Sequence, residues 1–412
     1  MILDPLKDRY IVLGVTGSIA AYKAADLASK LTQAGATVDT VLTEAATRFV
    51  TPLTFQSVTG RPAYTDADLW GAQAHVLHVG LGHKADLLAI APATAQTMAK
   101  LAHGLADNLL TLAVLAAACP ILIAPAMDGG MFAHPATQEN LQRLRERGIA
   151  IVGPEEGHLA SGLKARGRMT ESQELVGHIR YLLSRGGSLR GRRVVVTAGG
   201  TQEPVDPVRV ISNRSSGKQG FALAQAALDA GAAVTLIAAP VALATPVGAQ
   251  RVDVTTAAEM AEAVLAACHD ADVLLMAAAV ADFRPAHAAQ QKLKKERGMS
   301  SLALERTTDI LAEVGRLRKQ IGRPLAVVGF AAETEGLLAN ALGKLQAKGL
   351  DLIVANDVSA AGSGFGVDTN QVTLLDAAGG VETLPLMSKA EVADKVIDKV
   401  IGLLGPSAAF DR

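Results

Sequence analysis

The sequence predicts an α/β protein made of two three-layer, doubly wound domains. Three observations point there. From Tyr10 onward, short apolar runs alternate with segments of helical period; the alternation stops at the polar, glycine-rich stretch 184–192; and it then resumes. At 412 residues the chain is too long for one ordinary core, so a boundary is expected, and it is placed to give domains 1–188 and 189–412.

In the first domain, Tyr10–Val15 reads as a buried strand and Ser18–Gln33 as a helix stopped by Gly35. Thr37–Leu42 is the next strand, followed by apolar runs at Ala85–Ala91, Ile121–Ala124 and Ile149–Val152. The apolar stretch Leu109–Met127 has the length of a membrane span, but Pro120 and Pro125 interrupt it. It reads as a buried helix leading into the strand Ile121-Leu122-Ile123. In the second domain, strands are expected at Val194–Thr197, Val234–Ala238, Val273–Ala277, Leu325–Phe330, Leu352–Ala355 and Val372–Leu375. Helices are expected at Lys218–Ala230, Ala257–Ala267 and Glu335–Lys348. Such βαβ alternation gives parallel sheets covered on both faces, with ligands at the carboxyl ends of the strands.

Half of the residues are apolar, 19% are charged, and the net charge is −1. This excludes a disordered chain and gives no footing for nucleic acid or an anionic membrane as partner. Cys119 and Cys268 both lie in apolar surroundings, which fits a reducing cytoplasm better than a disulfide scaffold. The N-terminus MILDPLKDRY lacks the order of a signal peptide, so a cytoplasmic enzyme is expected.

The most informative segment is TAGGTQEPVDPVRVISNRSSGK, Thr197 to Lys218. It joins the strand Val194-Val195-Val196 to the apolar-periodic Gly220–Ala230 by a long polar loop. A loop of this kind presents backbone N–H groups and a helix N-terminus to phosphate. At about twenty residues it is long for a plain connection. Upstream, Gly14-Val15-Thr16-Gly17-Ser18-Ile19-Ala20 closes the first strand and opens the first helix. There the glycines allow close backbone approach, and Ser18 can cap the helix and donate to a phosphate. Thr43 and the run Ala91-Pro92-Ala93-Thr94-Ala95 stand at two further strand ends.

These positions, with Pro125-Ala126-Met127 and the Leu105–Thr111 segment, resemble the homo-oligomeric flavin-containing cysteine decarboxylases over about residues 8–180. The resemblance implies a flavodoxin-like domain that binds FMN at Gly17, Ser18, Ile19, Thr43, Ala93 and Thr94. It also implies an active-site histidine opening a His-x-x-Leu-x-x-x-Ala-Asp segment. That spacing selects His78, not His75 or His83. Oxidising a cysteinyl thiol to a thioaldehyde places an electron sink beside the carboxylate, so CO₂ can leave, and the electrons then return. His78 is expected to do acid–base work at the thiol or carboxylate. The chain departs from the family pattern twice. Asp128 follows Met127 where the family has a neutral asparagine near the substrate. Ser161 stands where a cysteine supplies the reductive-step proton. An alcohol is a far poorer acid than a thiol of pKa about 8.5. The donor is therefore water, Ser161 within a relay, or a neighbour.

The second domain resembles the phosphopantothenate–cysteine ligases over about residues 190–400. The resemblance rests on Thr197–Thr201, Ile211–Lys218, Met276-Ala277-Ala278-Ala279-Val280-Ala281-Asp282, Lys292-Leu293-Lys294-Lys295, Gly329-Phe330-Ala331-Ala332-Glu333-Thr334 and Ala355-Asn356-Asp357. It implies a Rossmann-like ligase domain that activates a carboxylate as an acyl-nucleotide, with CTP as nucleotide and Mg²⁺ accompanying it; no metal ligand is assigned. Asn213 is expected to stabilise that intermediate beside Arg209, and Lys292 to contact the nucleotide phosphates. Met276, Ala277, Ala278, Asp282 and Phe330 define the nucleotide site, and Thr308-Asp309-Ile310-Leu311, Lys344 and Lys348 add contacts. Taken alone, Lys292–Arg297 reads as a solvated loop and Lys344 with Lys348 as a surface helix face.

Together the resemblances imply a coenzyme A biosynthesis enzyme that couples phosphopantothenate to cysteine and decarboxylates the product to phosphopantetheine. They also imply a trimer-based decarboxylase and a dimerising ligase, hence a dodecamer. An alternative is an active ligase carrying a non-catalytic, flavin-binding regulatory domain. A nicotinamide oxidoreductase is disfavoured, because neither glycine loop reads G-x-G-x-x-G with an acidic residue about 20 positions on.

Overall fold

The computed structural model describes residues 4–70, 76–293, 301–333, 336–357, 364 and 366–405, without the side chains of Ala332, Glu333 and Asp357. His75, Lys294, Lys295, Arg297, Thr334 and Glu335, named above, lie outside the described residues. The chain divides into two compact units, residues 3–183 and 184–412.

In the first unit, β1 (Tyr10–Val15), α1 (Ala21–Gln33), β2 (Thr37–Leu42), α2 (Pro52–Thr59), β3 (Ala63–Tyr64), α3 (Leu77–Lys84) and β4 (Leu87–Ala93) follow in order. Then come α4 (Ala95–His103), α5 (Leu109–Ala116), β5 (Ile121–Pro125), α6 (Gly129–Ala133), α7 (Pro135–Glu146) and β6 (Ala150–Ile151). The hairpin β7 (Glu155–His158) and β8 (Lys164–Arg168) precedes α8 (Ser172–Ser184). The sheet is parallel, ordered β3-β2-β1-β4-β5-β6. Without the two-residue β3 this is the flavodoxin-like order, and the direction of winding reverses between β1 and β4. Alternation along the strands divides the core. Ile11, Leu13 and Val15 face one cluster with Leu27, Leu31 and Phe55, while Val12 faces another with Ile90, Met98 and Leu110.

In the second unit, β9 (Arg193–Ala198) leads into the hairpin β10 (Gln202–Pro204) and β11 (Val210–Ser212), then α9 (Lys218–Asp229), β12 (Ala233–Ala238) and β13 (Gln250–Asp253). Next are α10 (Ala257–Cys268), β14 (Val273–Met276), the pair β15 (Phe283–Pro285) and β16 (Leu304–Arg306), α11 (Ile310–Ile321), β17 (Ala326–Glu333), α12 (Leu337–Lys348) and β18 (Leu352–Asp357). The unit closes with β19 (Thr369–Asn370), β20 (Val372–Asp376), β21 (Val381–Thr383), β22 (Met387–Ser388) and α13 (Lys389–Leu404). Its sheet runs β13-β12-β9-β14-β17-β18-β20-β21, parallel as far as β18 and antiparallel beyond. Here the winding reverses between β9 and β14, which makes the crevice beside them the natural ligand site.

Several expectations are corrected. The first helix begins at Ala21, not Ser18; Ala20 occupies the cap position without a side-chain cap, and the Ser18 hydroxyl accepts from the Ala20 N–H at 3.3 Å. The Ala85–Ala91 strand is shifted to Leu87–Ala93, because Asp86 turns its carboxylate to accept from the Tyr10 N–H at 2.8 Å. Thr197–Lys218 is not one open loop. It folds on itself through the antiparallel β10–β11 pair, whose Pro204 and short length hid it from a search for alternating strands. No helix of the described residues is long and apolar enough to cross a membrane.

Candidate functional site

A cavity of about 500 Å³ opens at the carboxyl ends of β1, β4 and β5. It is bounded by the turn before α1, by Thr94 at the cap of α4, by Met127 and Asp128, and by the β7–β8 hairpin. The turn is tight: a Cβ on Gly17 would come within 2.5 Å of the Ala45 Cβ, so only glycine fits. The N–H groups of Gly17 and Ile19 have no hydrogen-bond partner among the described residues, although Ser18 N–H bonds the Thr16 carbonyl. Thr16 braces the same region by donating to the Pro92 carbonyl at 2.7 Å and accepting from the Thr94 N–H at 3.1 Å. Unpaired amides before a helix, beside a cavity and backed by glycine, fit the phosphate of a flavin mononucleotide.

The structure brings Gly17, Ser18, Ile19, Thr94, Met127, Asp128 and Ser161 to this cavity. It leaves out Thr43, Ala93 and His78. Thr43 is buried, and its hydroxyl accepts from the Ala46 N–H at 3.3 Å; Ala93 is buried and its carbonyl accepts from the Ala126 N–H. His78 lies in the first turn of α3, which packs against α5, and its Nδ1 is buried without a hydrogen-bond partner among the described residues. The spacing that selected His78 therefore does not place it at the cavity of its own chain.

Asp128 is neither protonated nor without partners. Its Oδ1 caps α6 by accepting from the Gly130 N–H at 2.9 Å, and its Oδ2 accepts from the Ser161 hydroxyl at 2.8 Å. The Gly130 amide first, and the Ser161 hydroxyl second, hold the carboxyl below the usual carboxylate range. Behind the hairpin, Gly167 accepts from the Met127 N–H at 3.0 Å, and any Cβ on Gly167 would run into the Met127 carbonyl oxygen. This contact sets the hairpin against the strand end and carries Ser161 to Asp128.

The sequence reading missed Lys23, His158 and Arg168 at this cavity. Lys23 is buried in α1 and donates to the Met169 carbonyl at 3.0 Å and to Glu171 at 2.8 Å. Arg168 also bonds Glu171. A lysine on the inner face of an otherwise apolar helix was the available signal.

In the second unit the crevice between β9 and β14 is closed by backbone pairing of Gly200 with Ala279 and by two threonines. Thr197 accepts from the Ala278 N–H at 3.0 Å, and Thr201 accepts from the Ala281 N–H at 2.9 Å. Asn213 spans the crevice, donating to the Ala279 and Val280 carbonyls at 3.3 and 3.0 Å. The buried Asp206 ties the neighbouring segment: it accepts from the Val208, Arg209 and Leu293 N–H groups, while Arg209 donates to the Leu293 carbonyl. Burial opposes the charged form of Asp206, but these three amides and the Arg209 charge outweigh it and hold the carboxyl low. Arg209 and Asp206 thereby hold Leu293, next to the exposed Lys292, while Asn213 holds the Ala279–Val280 segment that lies between Ala278 and Asp282.

A second group of expected contacts gathers around α11. Asp309 caps that helix by accepting from the Ala312 N–H at 3.1 Å and pairs with Lys348 at the end of α12. Thr308 is exposed, Leu311 is partly buried, and the Ile310 side chain is committed to the core. Lys344 lies on the exposed side of α12, whose buried positions are Ala341 and Leu345. Met276 is buried at the end of β14, receiving the Thr197 hydroxyl on sulfur at 3.4 Å, and Phe330 is half-buried on β17. Met276 and Ile310 therefore shape the site from beneath, and only their backbones are available to a ligand. Among the described residues no group of three or more His, Cys, Asp or Glu side chains is arranged to hold a metal.

Residues 3–184 match the Flavoprotein family, and residues 189–403 match the DNA/pantothenate metabolism flavoprotein C-terminal domain. The coenzyme A biosynthesis bifunctional protein CoaBC of Bacillus subtilis (strain 168) is 45% identical over 401 residues, covering 97% of this chain and 98% of that protein. The protein of the same name from Vibrio cholerae serotype O1 is 46% identical over 397 residues, covering 96% of this chain and 98% of the relative. Among solved structures, the C-terminal domain of a coenzyme A biosynthesis bifunctional protein CoaBC is 37% identical, covering 53% of this chain and 98% of its own, with a TM-score of 0.45.

Proposed function

The chain belongs to the coenzyme A biosynthesis bifunctional proteins, which pair a phosphopantothenoylcysteine decarboxylase with a phosphopantothenate–cysteine ligase, and from that premise we propose how its two units divide the chemistry. The ligase unit activates phosphopantothenate with CTP as an acyl-cytidylate and passes the acyl group to the cysteine amine. The flavin unit, loaded with FMN, removes CO₂ from the product.

One observation carries the ligase assignment: Asn213 bonds the Ala279 and Val280 carbonyls beside the β9–β14 crevice, and Arg209 and Asp206 on the neighbouring loop hold Leu293, next to Lys292. Arg209 and Lys292 supply positive charge where pyrophosphate must leave, and fixed dipoles and cations of this kind stabilise developing charge without reorganising. The Asn213 amide is engaged with two carbonyls, so it orients the strap that covers the intermediate. Mg²⁺ enters with the triphosphate, as an ion that keeps most of its water and needs only one or two protein carboxylates.

In the flavin unit, Gly17, Ser18, Ile19 and Thr94 hold FMN at the strand ends. FMN supplies a two-electron acceptor for the substrate thiol. Met127, Asp128 and Ser161 face the substrate, and the Ser161–Asp128 bond neutralises part of the charge that a substrate carboxylate meets. We place His78 at the cavity of a second copy of the chain in a homo-oligomer. Its buried Nδ1 lacks a partner among the described residues of its own chain, and Trp70 (86% exposed) and Val76 (50%) present apolar surface close to it in the sequence.

Incubating the protein with phosphopantothenate, cysteine, CTP and Mg²⁺ and following products by mass spectrometry tests this reading. Phosphopantetheine is expected. Phosphopantothenoylcysteine alone would leave a ligase with a regulatory flavin unit, and no coupled product would overturn the ligase assignment.

A further inference from the structure

We infer that His158 is the acid that completes the decarboxylation in this chain, in place of the thiol that Ser161 lacks; the inference rests on the flavin-unit reading above. His158, Leu159, Ala160 and Ser161 line the cavity consecutively, so the imidazole and the serine stand on one rim of one site. β7 ends at His158, and the turn that follows is closed by the Leu159 N–H to Leu163 carbonyl bond at 2.8 Å.

Four other polar groups that this chain brings to its own cavity are committed. Ser161 places its only hydroxyl hydrogen on Asp128, which leaves its oxygen lone pairs to accept hydrogen bonds from the substrate. Asp128 is held ionised and has none to give. Lys23 is buried with the Met169 carbonyl and Glu171 on its ammonium, and Arg168 is a guanidinium paired with the same Glu171. An arginine does not deprotonate in a protein. His158 is exposed, and an imidazole can both hold and release a proton at its ring nitrogens.

Loss of CO₂ breaks the carbon–carbon bond and leaves an ene-thiolate. The carbon that lost CO₂ forms a new C–H bond with the proton of the imidazolium, whose N–H bond breaks to leave neutral imidazole. With FMN bound, its reduced form would supply the hydride that turns the C=S group so restored into the thiolate of phosphopantetheine, and solvent reprotonates the imidazole. Without the proton the ene-thiol leaves, lighter than phosphopantetheine by two hydrogens, and the flavin stays reduced.

The test compares wild type, His158→Asn and the double variant His158→Asn/Ser161→Cys, each given phosphopantothenoylcysteine anaerobically. CO₂, product mass and flavin absorbance are followed together. In H158N the protonation should slow by about 10²-fold or more; CO₂ still appears, the product is mainly the ene-thiol, and the flavin bleaches. A thiol at position 161 should restore the saturated product. Phosphopantetheine from H158N at the wild-type yield overturns the assignment. So does loss of CO₂ release in H158N with flavin content unchanged, because a final proton donor is not needed for CO₂ to leave. Failure of wild type to release CO₂ would instead sink the flavin-unit reading beneath it.

Discussion

Ser161 donates to Asp128 at 2.8 Å across 33 positions of sequence, joining the two residues at which the sequence resemblance implies a departure from the family pattern. The two form one interaction, in which a hydroxyl satisfies a charged carboxylate at the cavity. Replacing Asp128 with Asn should keep the cap of α6, since the two residues cap about equally well. It should also remove a like charge from the path of the substrate carboxylate. We expect KM for phosphopantothenoylcysteine to fall by about three- to tenfold, corresponding to about 1 kcal/mol, with a change in melting temperature of no more than a few degrees. Steady-state kinetics on the two proteins decide it.

Gly167→Ala should detach the hairpin. The new methyl group collides with the Met127 carbonyl oxygen, and relieving that collision lengthens the Met127–Gly167 hydrogen bond. Overpacking of this kind costs about 1–3 kcal/mol. The purified variant should retain less flavin per chain and lose decarboxylation, while ligation persists. Full flavin content with wild-type CO₂ release would show that the hairpin does not depend on this contact.

Asn213→Ala should separate the two activities in the other direction. It frees the Ala279 and Val280 carbonyls and loosens the strap across the crevice. Ligase kcat/KM should fall by about 10²-fold, as when one preorganised donor is lost. Decarboxylation of added phosphopantothenoylcysteine should be unaffected.

The Lys23–Glu171 pair gives the flavin unit an acid-side stability term. The Lys23 ammonium first, with Arg168 assisting, holds the Glu171 carboxyl below its ordinary value, while partial burial opposes the shift. A depressed folded pKa contributes stability that is present above the unfolded value, about 4.3, and is lost as pH falls through the lower folded value. Glu171 is half exposed, so the contribution is on the order of 1 kcal/mol. Thermal melts of Glu171→Gln should lie below wild type at pH 7 and converge with it as the pH drops below about 4. A constant gap across that range would exclude this linkage.

Much of the fold was legible locally. Tyr10–Val15 and Thr37–Leu42 agree with their strands end for end, because each is an apolar run bounded by turn residues. The hairpins β7–β8 and β10–β11 were not legible. The sequences Glu155–His158 and Lys164–Arg168 are polar, and what makes them strands is their pairing with each other. The antiparallel strand β20 was found as an apolar run, but its direction follows from its connection to β18, which no periodicity records.

The sequence by itself determined the two α/β units and the glycine turn at Gly17, and it carries the residues Asn213, Arg209, Asp128 and Ser161 on which the proposed chemistry rests. Each of these is written in a short window, where side-chain period, turn chemistry and motif act over a few residues. Only the tertiary structure decided which of them meet. It joined Ser161 to Asp128, drew Lys23 and His158 into the flavin cavity, turned Thr43 to capping a neighbouring turn, and left His78 outside the cavity of its own chain. These outcomes depend on strand order and on a hairpin pressed against Met127. They are contacts between segments far apart in sequence, and no local pattern encodes them.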